Sequence, residues 1–105
     1  MALITKTRNF DLRKINRVAE ILKTIGHPVR LEILGVLEVE EPLAVSEIQE
    51  RIGIPTEQSL LSHHLIKLKD KGLLSSEKQG MNVYYSIEDR QLLQIFDCME
   101  HCTLL

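Results

Sequence analysis

Three residues near the end of the sequence could together bind a metal ion. Cys98, His101 and Cys102 follow the spacing i, i+3 and i+4, which places all three side chains on one face of a helix. Two thiolates and an imidazole suit zinc, copper(I) or a metalloid, and Asp97 or a second copy of the chain could supply a fourth ligand. The alternative is that both cysteines pack as soft, half-buried side chains at a contact between subunits. The spacing alone leaves both interpretations open.

A second group of polar residues has the chemistry to contact nucleic-acid bases. Short donors and acceptors occur within one helical segment, at Gln58, Ser59, Ser62 and His63. Lys67 lies one turn further on. The DNA major groove admits an α-helix whose side chains reach base edges, and a lysine beside it would meet a phosphate. The alternative is the solvent-exposed face of an ordinary amphipathic helix.

A third group lies where the sequence predicts the tip of a β-hairpin. Its members are Lys78, Gln79 and Asn82, which surround a glycine. A cationic and amide-bearing tip of this kind can lie along the DNA backbone or enter the minor groove. An ordinary exposed hairpin would carry similar residues, so this signal gains weight only beside the second group.

Periodic apolar residues predict the helices that carry these groups. Apolar residues at spacings of three and four predict a first helix from about Phe10 to Ile25, capped by Asn9. His27 caps a second helix, with Pro28 at its first position. The segment Glu38 to Leu43 reads as a loop. Three more helices are predicted: Glu47 to Ile52 capped by Ser46, Glu57 to Lys71 capped by Thr56, and Glu88 to Cys102 preceded by the pair Ser86 and Asp89.

The apolar period changes to two after Gly72. This predicts two strands, Leu73 to Lys78 and Asn82 to Ile87, around a turn at Gln79-Gly80-Met81. Two helices joined by a short turn and followed by a hairpin form a winged helix-turn-helix. We therefore expect a mainly α fold with a small β-hairpin. It should be a single domain spanning residues 1–105, with residues 1–9 as an N-terminal tail.

Composition and charge narrow the classes of function. The formal net charge is −2, yet residues 1–23 carry six bases and two acids, and residues 31–50 carry six acids and no base. DNA contact requires only a locally basic surface. No apolar run approaches the roughly 18 residues of a membrane span, and no secretory signal is evident, so we expect a cytoplasmic protein without a membrane partner. The sequence contains no glycine-rich phosphate loop, no G-x-S-x-G and no H-E-x-x-H motif, so we expect that the protein is not an enzyme.

The stretch from Leu22 to Ile87 resembles the ArsR-type (arsenic-repressor-like) winged-helix regulators. The matching segments are L-K-T-I-G-H-P-V-R-L-E-I-L from Leu22, S-H-H-L-I-K-L-K-D-K-G-L-L from Ser62, and G-M-N-V-Y-Y-S-I from Gly80. The resemblance implies a homodimer that represses an operon on double-stranded DNA until an effector is sensed. It also implies operator contacts from Ser59, Ser62 and His63, and wing contacts from Gln79 to Asn82.

The sequence also departs from the family pattern. Many members sense metal through cysteines before the turn, whereas Ala44 and Ser46 stand at those positions here and cannot replace a soft ligand. The turn from Ile54 to Gln58 is about two residues longer than usual, so its register against DNA is open. His64 lies beside buried residues, and we interpret it as a core histidine.

Apolar residues on the first and last helices are the predicted dimer interface. They are Leu12, Ile15, Leu22, Leu92, Phe96 and Met99. An effector, including a metal or metalloid, would act at these helices. The competing function is a winged helix that binds proteins rather than DNA, and it would require Leu60 and Ile66 to share one exposed apolar patch.

Overall fold

The computed structural model describes residues 11–104. Within this range the chain forms five α-helices, one 3-10 helix and three strands. In chain order these are α1 (Leu12–Ile25), α2 (Pro28–Val39), β1 (Leu43–Ala44), α3 (Val45–Arg51), α4 (Gln58–Asp70), β2 (Leu74–Gln79), β3 (Asn82–Ile87), the 3-10 helix (Arg90–Leu93) and α5 (Gln94–His101). The predicted tail of residues 1–9 lies outside the described residues.

The first two helices begin at polar caps. Helix α1, predicted from about Phe10, begins at Leu12, because Asp11 is the cap and its Oδ1 accepts the N–H of Lys14 at 2.7 Å. The predicted cap Asn9 lies outside the described range. The prediction for α2 is confirmed, since the Nδ1 of His27 accepts the N–H of Val29 at 3.2 Å. Each cap satisfies a backbone donor that a helix start leaves without a partner.

The start of α3 differs from the prediction because a strand precedes it. Ser46 is not the cap: the extended backbone ends at Ala44 and the helix begins at Val45. The Oε1 of Glu47 accepts the N–H of Ala44 at 2.9 Å, which is half of a capping box because alanine offers no side-chain oxygen. Helix α4 begins at Gln58 with Glu57 as its cap. Thr56, the predicted cap, instead donates its hydroxyl to the carbonyl of Ile54 at 2.9 Å.

The β-structure is a three-stranded antiparallel sheet rather than an isolated hairpin. Strands β2 and β3 pair from Leu74↔Ile87 to Gln79↔Asn82, which confirms the predicted hairpin. Strand β2 runs from Leu74 to Gln79 rather than from Leu73 to Lys78, so Gln79 belongs to the strand and not to the turn. The added strand, β1, pairs Leu43 with Tyr85, and the strand order is β1-β3-β2. The predicted loop from Glu38 therefore gives way to a strand at its end. Two residues are too few to show a period in sequence.

The last helical segment is divided into two. The apolar spacing predicts a continuous helix from Glu88 to Cys102, but a 3-10 helix precedes α5, which ends at His101. Asp89 is the cap, and its Oδ1 accepts the N–H of Gln91 at 2.9 Å. Ser86 is not part of a capping pair, because its backbone belongs to β3 opposite Ser75.

The core lies where α2, α3 and α4 meet the sheet. Its fully buried side chains come from all three helices and from β1, and they are Ile33, Leu34, Leu37, Leu43, Ile48, Leu61, Leu65 and Leu68. Burying one such side chain contributes about 2 kcal/mol. This packing fixes the orientation of α4 relative to α2, α3 and the sheet. Among the described helices, none combines the length and hydropathy required to cross a bilayer.

Candidate nucleic-acid interface

Helix α4 presents a polar face to solvent. It buries Leu61, Leu65 and Leu68 against the core. On its other sides lie the predicted base-contacting residues, of which Gln58, Ser59 and His63 are exposed and Ser62 is half-buried, together with exposed Lys67. All of the residues predicted to contact DNA bases or phosphate from this segment therefore lie on one helix. The hydrogen-bonding side chains occupy its first turns, and the cation lies nearer its end. This arrangement suits a helix whose N-terminal part meets base edges.

The turn before α4 is held in place by α2 and α3. The carboxylate of Glu32 on α2 accepts the N–H of Gly53 at 2.7 Å and that of Ile54 at 2.8 Å. The Nε2 of Gln49 on α3 donates to the carbonyl of Thr56 at 2.9 Å. These bonds satisfy backbone groups of an irregular segment, so the longer turn is tied to its neighbours at both ends.

A buried polar network lies beneath α4. His64 is 4% exposed, and its Nδ1 accepts a hydrogen bond from Nε of Arg30 at 3.1 Å. The same guanidinium donates through Nη1 to the carbonyl of Thr24 at 2.9 Å. The interpretation of His64 as a core histidine is confirmed. Arg30 thereby links the end of α1 and the start of α2 to α4.

The environment of His64 keeps its imidazole neutral. Burial, followed by the nearby His27, Arg30 and His63 groups, lowers the pKa of His64 below its ordinary value of 6.5. The ring centre of His27 lies 4.5 Å from that of His64. Because Nδ1 accepts from Arg30, the ring proton sits on Nε2. Among residues 11–104, no partner accepts from this buried Nε2.

The hairpin between β2 and β3 projects a polar tip. Lys78, Gln79 and Asn82, the predicted wing residues, are all exposed. Gly80 occupies the left-handed region with φ 64°, which allows the tight reversal at a position where most side chains would be strained. Met81 beside it is 98% exposed. The wing is thus a paired β-hairpin that carries hydrogen-bonding side chains at its tip.

The predicted dimer residues fall into two classes of exposure. Leu12, Leu22 and Met99 are exposed, and Ile15 is half-buried. On α1, Ile15 and Leu22 line an apolar hollow of about 420 Å³ together with Lys14, Val18 and Ala19. Leu92 and Phe96 differ, because both pack against the chain's own core. Part of the predicted interface therefore already stabilises the monomer.

The cysteine and histidine group at the C-terminus is not assembled within one chain. Helix α5 ends at His101, and Cys102 follows as its C-cap with an extended backbone. Both cysteines are free thiols, with Cys98 exposed and Cys102 half-buried. In the part of the chain that the structure covers, no three His, Cys, Asp or Glu side chains lie together as a metal site.

Sequence reasoning missed two residues that position α4. Arg30 lies within a segment that resembles the ArsR-type regulators, but no capping or periodic pattern marks its contact with His64, 34 positions away. Glu32 is likewise 21 positions from Gly53. Both contacts depend on how the helices pack, which a local pattern does not encode.

Comparison with known proteins gives a consistent result. Residues 25–77 match a family model described as a helix-turn-helix domain. The transcriptional repressor PagR of Bacillus anthracis is 41% identical over 71 residues, covering 68% of this chain and 69% of that protein. A cadmium resistance transcriptional regulatory protein CadC homolog of Staphylococcus aureus is 35% identical over 89 residues, covering 83% of this chain and 72% of that protein.

A solved structure shares the architecture as well. The crystal structure of the transcriptional repressor BigR from Xylella fastidiosa superposes with a TM-score of 0.73 at 30% sequence identity. The match covers 87% of this chain and 92% of that one. The similarity therefore extends well beyond the helix-turn-helix segment, to the helices on either side of it.

Proposed function

The chain belongs to the ArsR-type winged helix-turn-helix family of DNA-binding transcriptional regulators, and we propose that it represses its target genes as a homodimer. The observation that carries this function is the exposed polar face of α4, which is aligned by Glu32 and supported by the buried Arg30–His64 contact. Relatives named as repressors support the direction of regulation. DNA binding requires no catalytic group, and we propose a cytoplasmic site of action.

Base and phosphate contacts are divided between α4 and the wing. The hydrogen-bonding groups of α4 meet base edges in the major groove, through Gln58, Ser59, Ser62 and His63. Lys67 meets the phosphate backbone beside the groove, and contacts there position the protein without reading sequence. The wing contacts the backbone or the minor groove through Lys78, Gln79 and Asn82.

The apolar faces of α1 and α5 form the subunit interface. Support comes from side chains that a monomer leaves in water: Val18 is 51% exposed and Leu22 is 52% exposed. A closed two-fold dimer would bury both copies of this face. It would also place the two α4 helices about 34 Å apart, so that each enters one half of a near-palindromic operator.

An effector that alters the packing of α1 and α5 would change the spacing of the two α4 helices and release the DNA. Residues 11–104 do not assemble a metal site within one chain, because Ala44 and Ser46 offer no soft ligand and the side chains of Cys98, His101 and Cys102 do not lie together. No step of this mechanism therefore requires a metal.

The protein-binding alternative finds less support on α4. Leu60 is 50% exposed and Ile66 is 49% exposed. Six positions separate them, which corresponds to about 120° around the helix, so they do not form one stripe. Isolated apolar side chains on a surface are normal and do not define a docking patch.

The proposal is tested by fluorescence anisotropy with duplex DNA from upstream of the gene. We expect binding that exceeds that of a scrambled duplex and weakens steeply as salt increases, because phosphate contacts release counterions. Weak, salt-insensitive binding to both duplexes would refute the function. Titration with zinc, and separately with oxidant, would show whether Cys98 and Cys102 influence DNA release.

A further inference from the structure

A pocket beside α4 is lined by cationic side chains from three helices. Its volume is about 300 Å³, and it lies where the end of α4 approaches the end of α1 and the start of α2. The lining residues are Glu20, Lys23, Thr24, Arg30, Lys67 and Lys71. Only Lys67 was singled out from the sequence. The others belong to segments far apart in the chain, and only the packing of the helices brings them together.

The pocket carries a positive charge that is only partly neutralised. Four cationic side chains and one carboxylate line it, which leaves a formal charge of +3. The carboxylate, Glu20, pairs with Nζ of Lys71 at 3.2 Å. As far as residues 11–104 show, neither Lys23 nor Lys67 pairs with a carboxylate. A concave surface lined by one sign of charge concentrates ions of the opposite sign.

Arg30 is oriented before any ligand arrives. Its Nε and Nη1 are bonded to His64 and to the carbonyl of Thr24. Within the described chain Nη2 donates no hydrogen bond, so it remains available to a ligand. Two carbonyl oxygens of lining residues are already engaged, because that of Thr24 accepts from Arg30 and that of Lys71 accepts from Nη2 of Arg17 at 3.2 Å.

We propose that this pocket, defined by Lys23, Arg30, Lys67 and Lys71, binds a phosphate group, and that the DNA backbone beside the groove supplies it. This inference rests on the proposed DNA-binding function. Ser59 and Lys67 are eight residues apart on α4, a rise of about 12 Å. The major groove is about 12 Å wide. If the axis of α4 crosses the groove, the end of the helix lies against the bounding strand when its start reaches base edges.

A pair of charge changes with opposite expected effects tests the site. Lys23→Gln removes one cation, and we expect weaker binding to the upstream and scrambled duplexes alike. The salt slope should be smaller by about 0.9 for each phosphate that the variant no longer neutralises. Glu20→Gln removes the carboxylate of the pocket, and we expect tighter binding to both duplexes. Impaired folding cannot produce tighter binding. Lys69→Gln, an exposed lysine of α4 outside the pocket, should leave binding unchanged except for a small general charge effect.

A second measurement distinguishes DNA from a small phosphorylated ligand. Thermal unfolding is followed in sodium pyrophosphate and in sodium chloride of equal ionic strength. Lys23→Gln could bind DNA normally but lose the thermal stabilisation that pyrophosphate gives the wild type. In that case the pocket binds phosphate, but the phosphate comes from a free ligand rather than from DNA. If Lys23→Gln and Glu20→Gln match Lys69→Gln in both measurements, the site is refuted. A wild type that binds no duplex at low salt would refute the proposed function. The thermal stabilisation by pyrophosphate would then be the sole test of whether the pocket binds a phosphate group.

Discussion

At the scale of single residues, His64 joins the core to the helix that carries the exposed polar face. It faces inward from the same helix whose outer face carries Ser59 and His63. Its hydrogen bond from Arg30 requires an unprotonated Nδ1. Protonation would place a second N–H against a permanently charged guanidinium and remove that bond. The contact that supports α4 therefore depends on the protonation state of one imidazole.

We predict that the folded protein loses stability as the pH falls below about 6.5. The unfolded chain takes up a proton near the ordinary pKa of 6.5, whereas burial and the neighbouring His27, Arg30 and His63 groups lower the folded pKa of His64. The unfolded state then binds more protons, so the free energy of unfolding decreases until the pH reaches the folded pKa. Urea denaturation at about pH 7.5 and about pH 5.5 measures this loss.

Two variants assign the pH effect. His64→Gln retains an acceptor for Arg30 without a titrating group, so its loss of stability between the two pH values should be smaller than that of the wild type. His101→Gln removes an exposed histidine of α5 that is not among the groups acting on His64, and it should retain the wild-type loss. If His64→Gln and the wild type lost equal stability, other groups would be responsible.

At the scale of elements, α4 is oriented by contacts from elsewhere in the chain. Helix α2 supplies Glu32, which holds the turn before α4, and Arg30, which holds α4 from beneath. The wing depends on a different kind of feature, the left-handed turn at Gly80. Both α4 and the wing thus have identifiable supports that can be removed without changing the predicted DNA-contact residues themselves.

We predict that Glu32→Gln lowers the free energy of unfolding by about 1 kcal/mol. A glutamine has one carbonyl oxygen and no charge, so it cannot accept from both Gly53 and Ile54 as the carboxylate does. Urea denaturation checks the stability, and anisotropy at a temperature where the variant is folded checks DNA affinity, which should also fall. The matched control is Glu38→Gln on the exposed side of α2, which should change neither quantity appreciably.

We predict that Gly80→Ala destabilises the wing by about 1 kcal/mol. The φ of 64° lies in the region that alanine enters only with strain, although a Cβ at Gly80 would meet no atom within 4 Å. Gly80→Asn is the control, because asparagine tolerates this region better. Thermal denaturation should rank the wild type above the asparagine variant and the alanine variant last. An alanine variant as stable as the wild type would show that the turn relaxes.

At the scale of the whole molecule, the first and last helical segments that the structure describes are each bonded to the central helices. Arg17 of α1 donates to the carbonyl of Lys71 at the end of α4. Arg90 of the 3-10 helix bonds the Glu41 carboxylate at 3.0 Å and the Glu38 carbonyl at 2.9 Å, which ties the last helical segment to the end of α2. Helix α1 therefore contacts the end of α4 directly, whereas the last helical segment reaches it through α2.

We predict that Leu22→Glu yields a folded monomer with weak operator binding. Leu22 is 52% exposed, so a charge there opposes burial at a subunit interface without disrupting the core. Leu92 and Phe96 are poorer targets, because their substitution would also damage intrachain packing. Sedimentation measures the mass, circular dichroism checks the fold, and anisotropy measures DNA binding.

Leu60→Glu is the matched control for the dimer prediction. Leu60 is 50% exposed but lies on α4, so this variant should remain dimeric while DNA binding weakens through charge repulsion. A Leu22→Glu protein that stayed dimeric at micromolar concentration would show that the apolar face of α1 is not the interface.

Local patterns in the sequence are sufficient for most elements of the fold. Apolar spacing predicts four of the helices and the hairpin to within a few residues, because a repeat of three and four or of two determines which residues one face buries. The His27 cap and the Gly80 turn follow from the chemistry of those residues. The polar face of α4 is equally predictable, since its residues are neighbours on one helix.

The features that depend on distant residues follow from the packing of the helices and strands, which no local pattern encodes. Strand β1 exists because β3 offers it a partner, and its presence moves the cap of α3 from Ser46 to Ala44. The pairing of Arg30 with His64 and the cationic pocket join residues that are far apart in sequence. The sequence predicts Leu92 and Phe96 as interface residues, because an apolar stripe shows only that one face of a helix is apolar. Whether the same chain or a second copy covers that face depends on the tertiary packing.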